Sequence, residues 1–158
     1  MYSVGDLVVH PKHGAGVISA IVNSVGDDGV AIDYYIFEMT SCSMRVMIPA
    51  DAREKIGMRP IMDRDMAEQI LLGIEKAEIE QNSNWNRRYR DNMEKVKSGC
   101  LSEVGYVIKA LTMRDKLKGL STGERKLLNS AKRILLSELE YAFALTPEEA
   151  EEKLNCAL

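Results

Sequence analysis

The chain reads as an α+β protein that keeps its two kinds of structure apart, with a small β meander or barrel over residues 1–56 and an all-α bundle over residues 63–158. Three observations predict this division. Short runs of Val, Ile, Tyr and Phe broken by turn residues continue to about residue 50. Beyond Pro60, apolar residues recur at helical intervals instead. Between the two, Gly57-Met58-Arg59-Pro60 has the punctuation of a boundary, so residues 57–62 are expected as a linker.

In the first segment, residues 6–10, 16–22, 31–39 and 44–48 are the expected strands. Asp27-Asp28-Gly29 suits a hairpin turn, Thr40-Ser41-Cys42-Ser43 a second connection, and His10-Pro11-Lys12-His13-Gly14 a further turn. Along the fourth strand, Met44, Val46 and Ile48 alternate with Ser43, Arg45 and Met47. One set should therefore face the core and the other should face outward. A module of about fifty residues is near the lower limit for an independent core, so it should lean on a partner or on the bundle.

Five further stretches are expected as helices. Residues 63–76 repeat Met66, Ile70, Leu71 and Ile74, residues 86–97 carry Tyr89, Met93 and Val96, and residues 103–118 carry Val104, Val107, Ile108, Leu111 and Leu117. Ser121 followed by Glu124 is the signature of a capping box opening a long helix to about residue 145. Thr146-Pro147-Glu148-Glu149 then caps a short final helix. The sequence shows no internal repeat and no low-complexity tract.

Composition narrows the function classes. With 158 residues, 46% hydrophobic and 28% charged, the chain has the balance of a soluble globular protein. Its start lacks a charged leader followed by an apolar run, and no stretch reaches the ~18 apolar residues of a membrane span, so a cytoplasmic protein is expected. Cys42, Cys100 and Cys156 are odd in number and far apart, which suits reduced structural thiols better than a disulfide framework or a zinc site. His10 and His13 are too few to build a metal site alone, and turn geometry accounts for them. No phosphate-binding, dinucleotide, zinc-protease or nucleophile-elbow motif occurs. His13-Gly14-Ala15-Gly16 is too short to cradle a phosphate, and no acidic pair lies in a recognisable acid–base pattern. No catalytic residue, cofactor or small-molecule substrate is therefore expected.

The formal charge of −3 conceals a segregation. Residues 81–136 carry 13 basic and 5 acidic side chains, whereas residues 61–80 and 137–158 are acidic. A basic block inside an acidic protein suits a polyanion, although helix charges paired within their own helix would look the same. Asn82-Ser83-Asn84-Trp85-Asn86-Arg87-Arg88-Tyr89-Arg90 holds the chain's one tryptophan at a polar helix start, followed by three arginines. Two readings stand side by side. Arginine forks bind phosphates, and a flat ring beside them suits a distorted base step or an unpaired base. Alternatively, Trp85, Tyr89, Met93 and Val96 fall at helical spacing as one buried stripe, with Arg87–Asp91 and Arg90–Glu94 as exposed pairs.

Several of these stretches resemble the CarD/CdnL family of bacterial transcription regulators, whose N-terminal module is shared with the transcription-repair coupling factor. The matching residues are Val4-Gly5-Asp6, Val8-Val9-His10-Pro11, His13-Gly14, Ile48-Pro49-Ala50, Asn84-Trp85-Asn86-Arg87-Arg88-Tyr89, Gly119-Leu120-Ser121 and Gly123-Glu124. The first group is shared with the repair factor, and the Trp85 segment and later helices belong to the regulators. The resemblance implies a Tudor-like β-barrel module that docks on the RNA polymerase β subunit. It also implies a helical module that meets the promoter minor groove at the upstream edge of the transcription bubble and lengthens the life of the open complex. Trp85 matches the family's wedge, and Arg87, Arg88 and Arg90 match its contacts to the DNA backbone. Lys97, Arg125 and Lys126 would extend the phosphate track. Arg45 and Met47 would face the polymerase, Met47 departing from the basic residue that relatives tend to carry there. The expected protein is thus a non-enzymatic, monomeric factor that reads no base sequence and has no membrane partner. A polymerase-docking adaptor without DNA contact and a small enzyme with an unfamiliar site are the rival readings.

Overall fold

The computed structural model describes residues 1–40, 43–80 and 83–158. Ser41 and Cys42 of the expected second connection, and Asn82 before the tryptophan, lie outside the described residues. The chain divides into two compact units, Met1–Ile61 and Met62–Leu158.

The first unit is one antiparallel sheet in the order β4-β3-β2-β1-β5, built from β1 (Leu7–His10), β2 (Gly14–Val25), β3 (Ala31–Met39), β4 (Arg45–Pro49) and β5 (Arg59–Pro60). A short helix α1 (Arg53–Ile56) links the last two strands. Period-two alternation does what the sequence suggests: Tyr35, Phe37 and Met39 of β3 point inward to join Val8, Ile18, Ile48 and Met58 in the core. β2 starts two residues earlier than expected because Gly14 takes a left-handed φ of 84° and pairs at once with His10. Two expectations need correction. Met44 lies ahead of β4 and is exposed, so inward alternation begins only with Val46 and Ile48. Residues 57–62 are not a structureless linker: Arg59–Pro60 pairs with β1, and Met58 is buried in the sheet's core.

His10 is buried, with its ring 4.5 Å from that of His13 and its Nδ1 accepting the Lys12 N–H at 3.0 Å. Burial first, then the charges of His13 and Lys12, lowers its pKa to about 4 from 6.5. The unfolded chain therefore takes up a proton at a higher pH than the folded one. Stability of this unit is expected to be complete above pH 6.5 and to be lost as the pH falls toward 4. Urea unfolding of the protein at stepped pH, followed by the β-unit signal, should show the slope. His10→Asn should flatten it, and an unaltered slope would assign the titration elsewhere.

The second unit is all helical: α2 (Arg64–Lys76), α3 (Trp85–Lys97), α4 (Leu101–Leu117), α5 (Thr122–Ala142) and α6 (Pro147–Ala157). Side-chain caps fix the starts, with Asp63, Asn84, Ser121 and Thr146 each accepting a first-turn N–H. The end of α2 is held by Lys109, whose ammonium donates to the carbonyls of Ile74, Glu75 and Ala77 at 2.8, 2.9 and 2.9 Å. All three of its donors satisfy carbonyls that a helix end leaves free. The core runs through Ile70, Ile74, Val104, Val107, Ile108, Leu111, Leu135, Leu139 and Leu154. Gly105 lets α2 and α4 close up, since a Cβ there would lie 2.6 Å from Ile74. Met66 and Leu117, expected in the core, are exposed, and Ala67 fills the inward position beside Met66. Among the described residues no helix is long and apolar enough to cross a membrane.

Candidate nucleic-acid interface

The first turns of α3 and α5 lie side by side, and the sequence explains why. Both helices open on a polar cap, Asn84 and Ser121, and Gly123 removes the side chain that would keep them apart. A Cβ at Gly123 would sit 3.4 Å from the Tyr89 ring, so a ring on α3 packs directly on the α5 backbone.

Trp85 stands at this junction. The residue is 43% exposed, and its ring stacks on Tyr89 at 5.2 Å with planes 7° apart and donates from Nε1 to Ser121 Oγ at 3.2 Å. One face of the indole is thus supported and its polar edge is satisfied, while close to half of its surface meets solvent. The buried-stripe reading of Trp85 does not hold for the ring itself, although Tyr89 and Met93 pack on the core and Val96 is inside it.

Beneath the ring runs a buried polar network. Arg88 donates from Nε and Nη2 to the two carboxylate oxygens of Glu124 at 3.0 and 3.2 Å, and both side chains are buried. Ser121 Oγ accepts from Trp85 Nε1 and from the Glu124 N–H, and its hydroxyl donates to Glu124 Oε1 at 3.2 Å. That uses its one proton and both lone pairs. Ser121 and Glu124 therefore do not form the reciprocal capping box the sequence suggests, because the carboxylate turns to Arg88. Burial pushes the Glu124 carboxyl up, but the Arg88 hydrogen bonds and charge, the Ser121 hydroxyl and the Arg114 charge outweigh it and hold the pKa below 4.5.

This network corrects one expected DNA contact. Arg88 is 8% exposed and committed to Glu124, so it positions the site rather than reaching the solvent. Arg87 and Arg90 are exposed on α3, as are Arg125 and Lys126 on the first turn of α5. Arg87 Nε lies 4.0 Å from Asp91, the loose i,i+4 pair that the spacing suggests. Arg125 pairs with Asp115 at 2.9 Å across the α4–α5 turn. Lys97 shares a face with Arg90 but sits about 18 Å along the helix from Trp85, outside the junction. Helix N-termini add partial positive charge beside the ring. In the other unit, Arg45 and Met47 face outward on the edge strand β4, and Arg45 Nε approaches Glu38 of β3 at 3.4 Å. Local spacing does not mark Glu124 and Arg114 as site residues; the one signal for the network is the stripe Trp85, Arg88, Tyr89, Asn92 and Val96, which runs through Arg88. Among the described residues no His, Cys, Asp and Glu group could hold a metal ion.

A sheet unit ending on the edge strand β4, followed in the same chain by a helical unit bearing a supported ring among cations, defines a two-module α+β protein. The sequence profile of the CarD-like/TRCF RID domain matches residues 2–62, and that of the CarD C-terminal domain matches residues 69–155. YdeB of Bacillus subtilis (strain 168), named as a candidate transcription factor, is 32% identical over 149 residues, covering 94% of this chain and 97% of that protein. The chain belongs to the CarD family of transcription factors, with an RNA polymerase-interacting domain at its N-terminus.

Proposed function

We propose that this protein docks on the RNA polymerase β subunit through β4 and, once tethered, sets Trp85 against the promoter minor groove at the upstream edge of the bubble. The carrying observation is the half-exposed indole, supported by Tyr89 and Ser121 beside exposed Arg87, Arg90, Arg125 and Lys126. A ring of this kind fits a step whose bases have already parted, whereas in closed duplex it must first unstack them at a cost of about a few kcal/mol. A ligand shifts an equilibrium only by its differential affinity for the two states, so this one favours the open complex. The exposed arginines and lysines supply phosphate contacts that position the ring without reading bases. Lys97 extends that track along α3.

Tethering lets a modest cationic surface suffice. Docking raises the effective concentration of DNA at the helical unit, up to about millimolar. The protein acts as a monomer, and free duplex should bind weakly. Footprinting of the polymerase–promoter complex tests the reading: added protein should alter protection at the upstream bubble edge. Unchanged protection with polymerase still bound would leave a docking adaptor without DNA contact.

The docking half has its own test. Arg45→Glu reverses a charge at the outward edge of β4, beside Glu38, and is expected to weaken polymerase binding about tenfold while leaving the helical unit's thermal unfolding unaltered. Equal affinity in a pull-down or interferometry titration would remove Arg45 from the interface. Met47→Lys, which adds a cation at the neighbouring outward position, should strengthen the same binding.

A further inference from the structure

On the other flank of α3, facing α4, lies a cleft of about 150 Å³, walled by Arg87, Arg88 and Lys95 from α3 and by Arg114 from α4. Its cations are not equally committed. Arg88 is taken by Glu124 through two hydrogen bonds, and the remaining demand of that carboxylate is met by Ser121. Arg114 comes second to it: its Nε is 4.0 Å from Glu124 Oε2, too far for a hydrogen bond, and is buried without an acceptor among the described residues. The side chain is only 19% exposed, and a guanidinium cannot shed its charge to escape the cost.

Lys95 places a second cation at the same cleft, with its ammonium 4.2 Å from the centroid of the Tyr106 ring. Arg87 adds a third, held loosely by Asp91 at 4.0 Å. Asp91 and Glu80 also line the cleft and oppose a negative ligand. With Arg88 neutralised, three cations face these two carboxylates, leaving an excess of one positive charge. The space exceeds what a few waters need, so a compact tetrahedral anion fits.

We propose that this cleft is an oxyanion site that takes one phosphate group, with Arg114 and Lys95 as its ligands. Charge-assisted bonds from a guanidinium and an ammonium to phosphate oxygens supply what Arg114 lacks inside the protein. The phosphate comes either from a small free molecule or from a nucleic-acid backbone, since both present the same oxygens. Arg87 is shared with the cationic surface beside Trp85, but the two proposed ligands, Arg114 and Lys95, are not, so the site does not depend on the open-complex reading.

The test uses the full chain, isotopically labelled, with the Arg114 Nε–H resonance as the reporter. Inorganic phosphate is titrated at constant ionic strength against a sodium chloride control. A saturating shift is expected with phosphate and not with chloride, removed by Arg114→Gln and weakened about tenfold by Lys95→Gln. Lys95 is outside the bundle core, so its variant keeps the test sound if loss of Arg114 disturbs folding. Saturation by inorganic phosphate assigns a free ligand, whereas a shift only with a short DNA duplex assigns a backbone phosphate; both support the site. No saturating shift with either, or an equal shift with chloride, overturns it. The phosphate arm contains no polymerase or promoter, so its failure leaves the Trp85 reading untouched.

Discussion

Trp85→Ala is expected to shorten the lifetime of the open promoter complex about tenfold, with polymerase affinity and the folding of the helical unit nearly unaffected. The figure follows from magnitudes. Insertion at a parted base step involves a few kcal/mol, and a difference of about 1.4 kcal/mol between open and closed states is a factor of ten. The expected sparing of stability rests on the ring's position: close to half of it already meets solvent, and the truncation opens no cavity in the bundle core. Dissociation of preformed open complexes after a competitor challenge gives the lifetime, and thermal unfolding of the free variant checks the fold. A lifetime equal to wild type would dismiss the ring as the contact. A collapse of the unfolding midpoint would mark it as a core residue. Trp85→Phe, which keeps a flat ring but not the bond to Ser121, should fall between the two.

Glu124→Ala should have the largest effect on stability. The carboxylate is 2% exposed and answers two arginines, Arg88 directly and Arg114 at 4.0 Å. Deleting it leaves Arg88 buried with its charge uncompensated, a change that costs about 3–5 kcal/mol in comparable buried pairs. Over a helical unit of this size the midpoint should drop by about 15 °C or more. Joint replacement by apolar residues, Arg88→Met with Glu124→Leu, should recover much of the loss, because both charges then leave the interior together. A single-variant loss below about 1 kcal/mol would mean that Arg88 swings out to solvent. The pair also sets an acid limit. The folded carboxyl titrates below 4.5, so its contribution is complete above that value and is lost as the pH falls through the lower folded pKa.

The long elements were legible in the sequence because their signals repeat. Strand alternation and helical periodicity each extend over many residues, and Ser121 and Thr146 announce helix starts by chemistry alone. Single positions were less legible. Met66 reads as core because it is large and apolar, yet the inward place one residue on belongs to Ala67, whose small side chain carries little weight in a pattern. The fifth strand has two residues and one is proline, so its pairing with β1 shows no periodicity of its own.

The site divides in the same way. The residue types around Trp85 are visible in one line of sequence, but Arg87, Arg88 and Arg90 look equivalent there. A helix turns about 100° per residue and distributes them to different faces. Arg88 falls on the stripe with Tyr89, Asn92 and Val96, and its partner Glu124 is 36 residues away. What Ser121-x-x-Glu124 does likewise depended on a neighbour that local spacing does not reveal. The Lys109 clamp on α2 was out of reach for the same reason, with 32 to 35 residues separating donor from acceptors.

The hydroxyl of Ser121 joins the surface ring to the interior ion pair, and this has a thermodynamic consequence. A free tryptophan side chain would have to surrender rotational freedom on meeting DNA, whereas here much of that ordering has been completed during folding of the bundle. The orientation of the indole is therefore inherited from the stability of the unit beneath it, and under the proposed function a lesion that loosens the interior would show at the promoter as a slower, less committed encounter rather than as a missing contact.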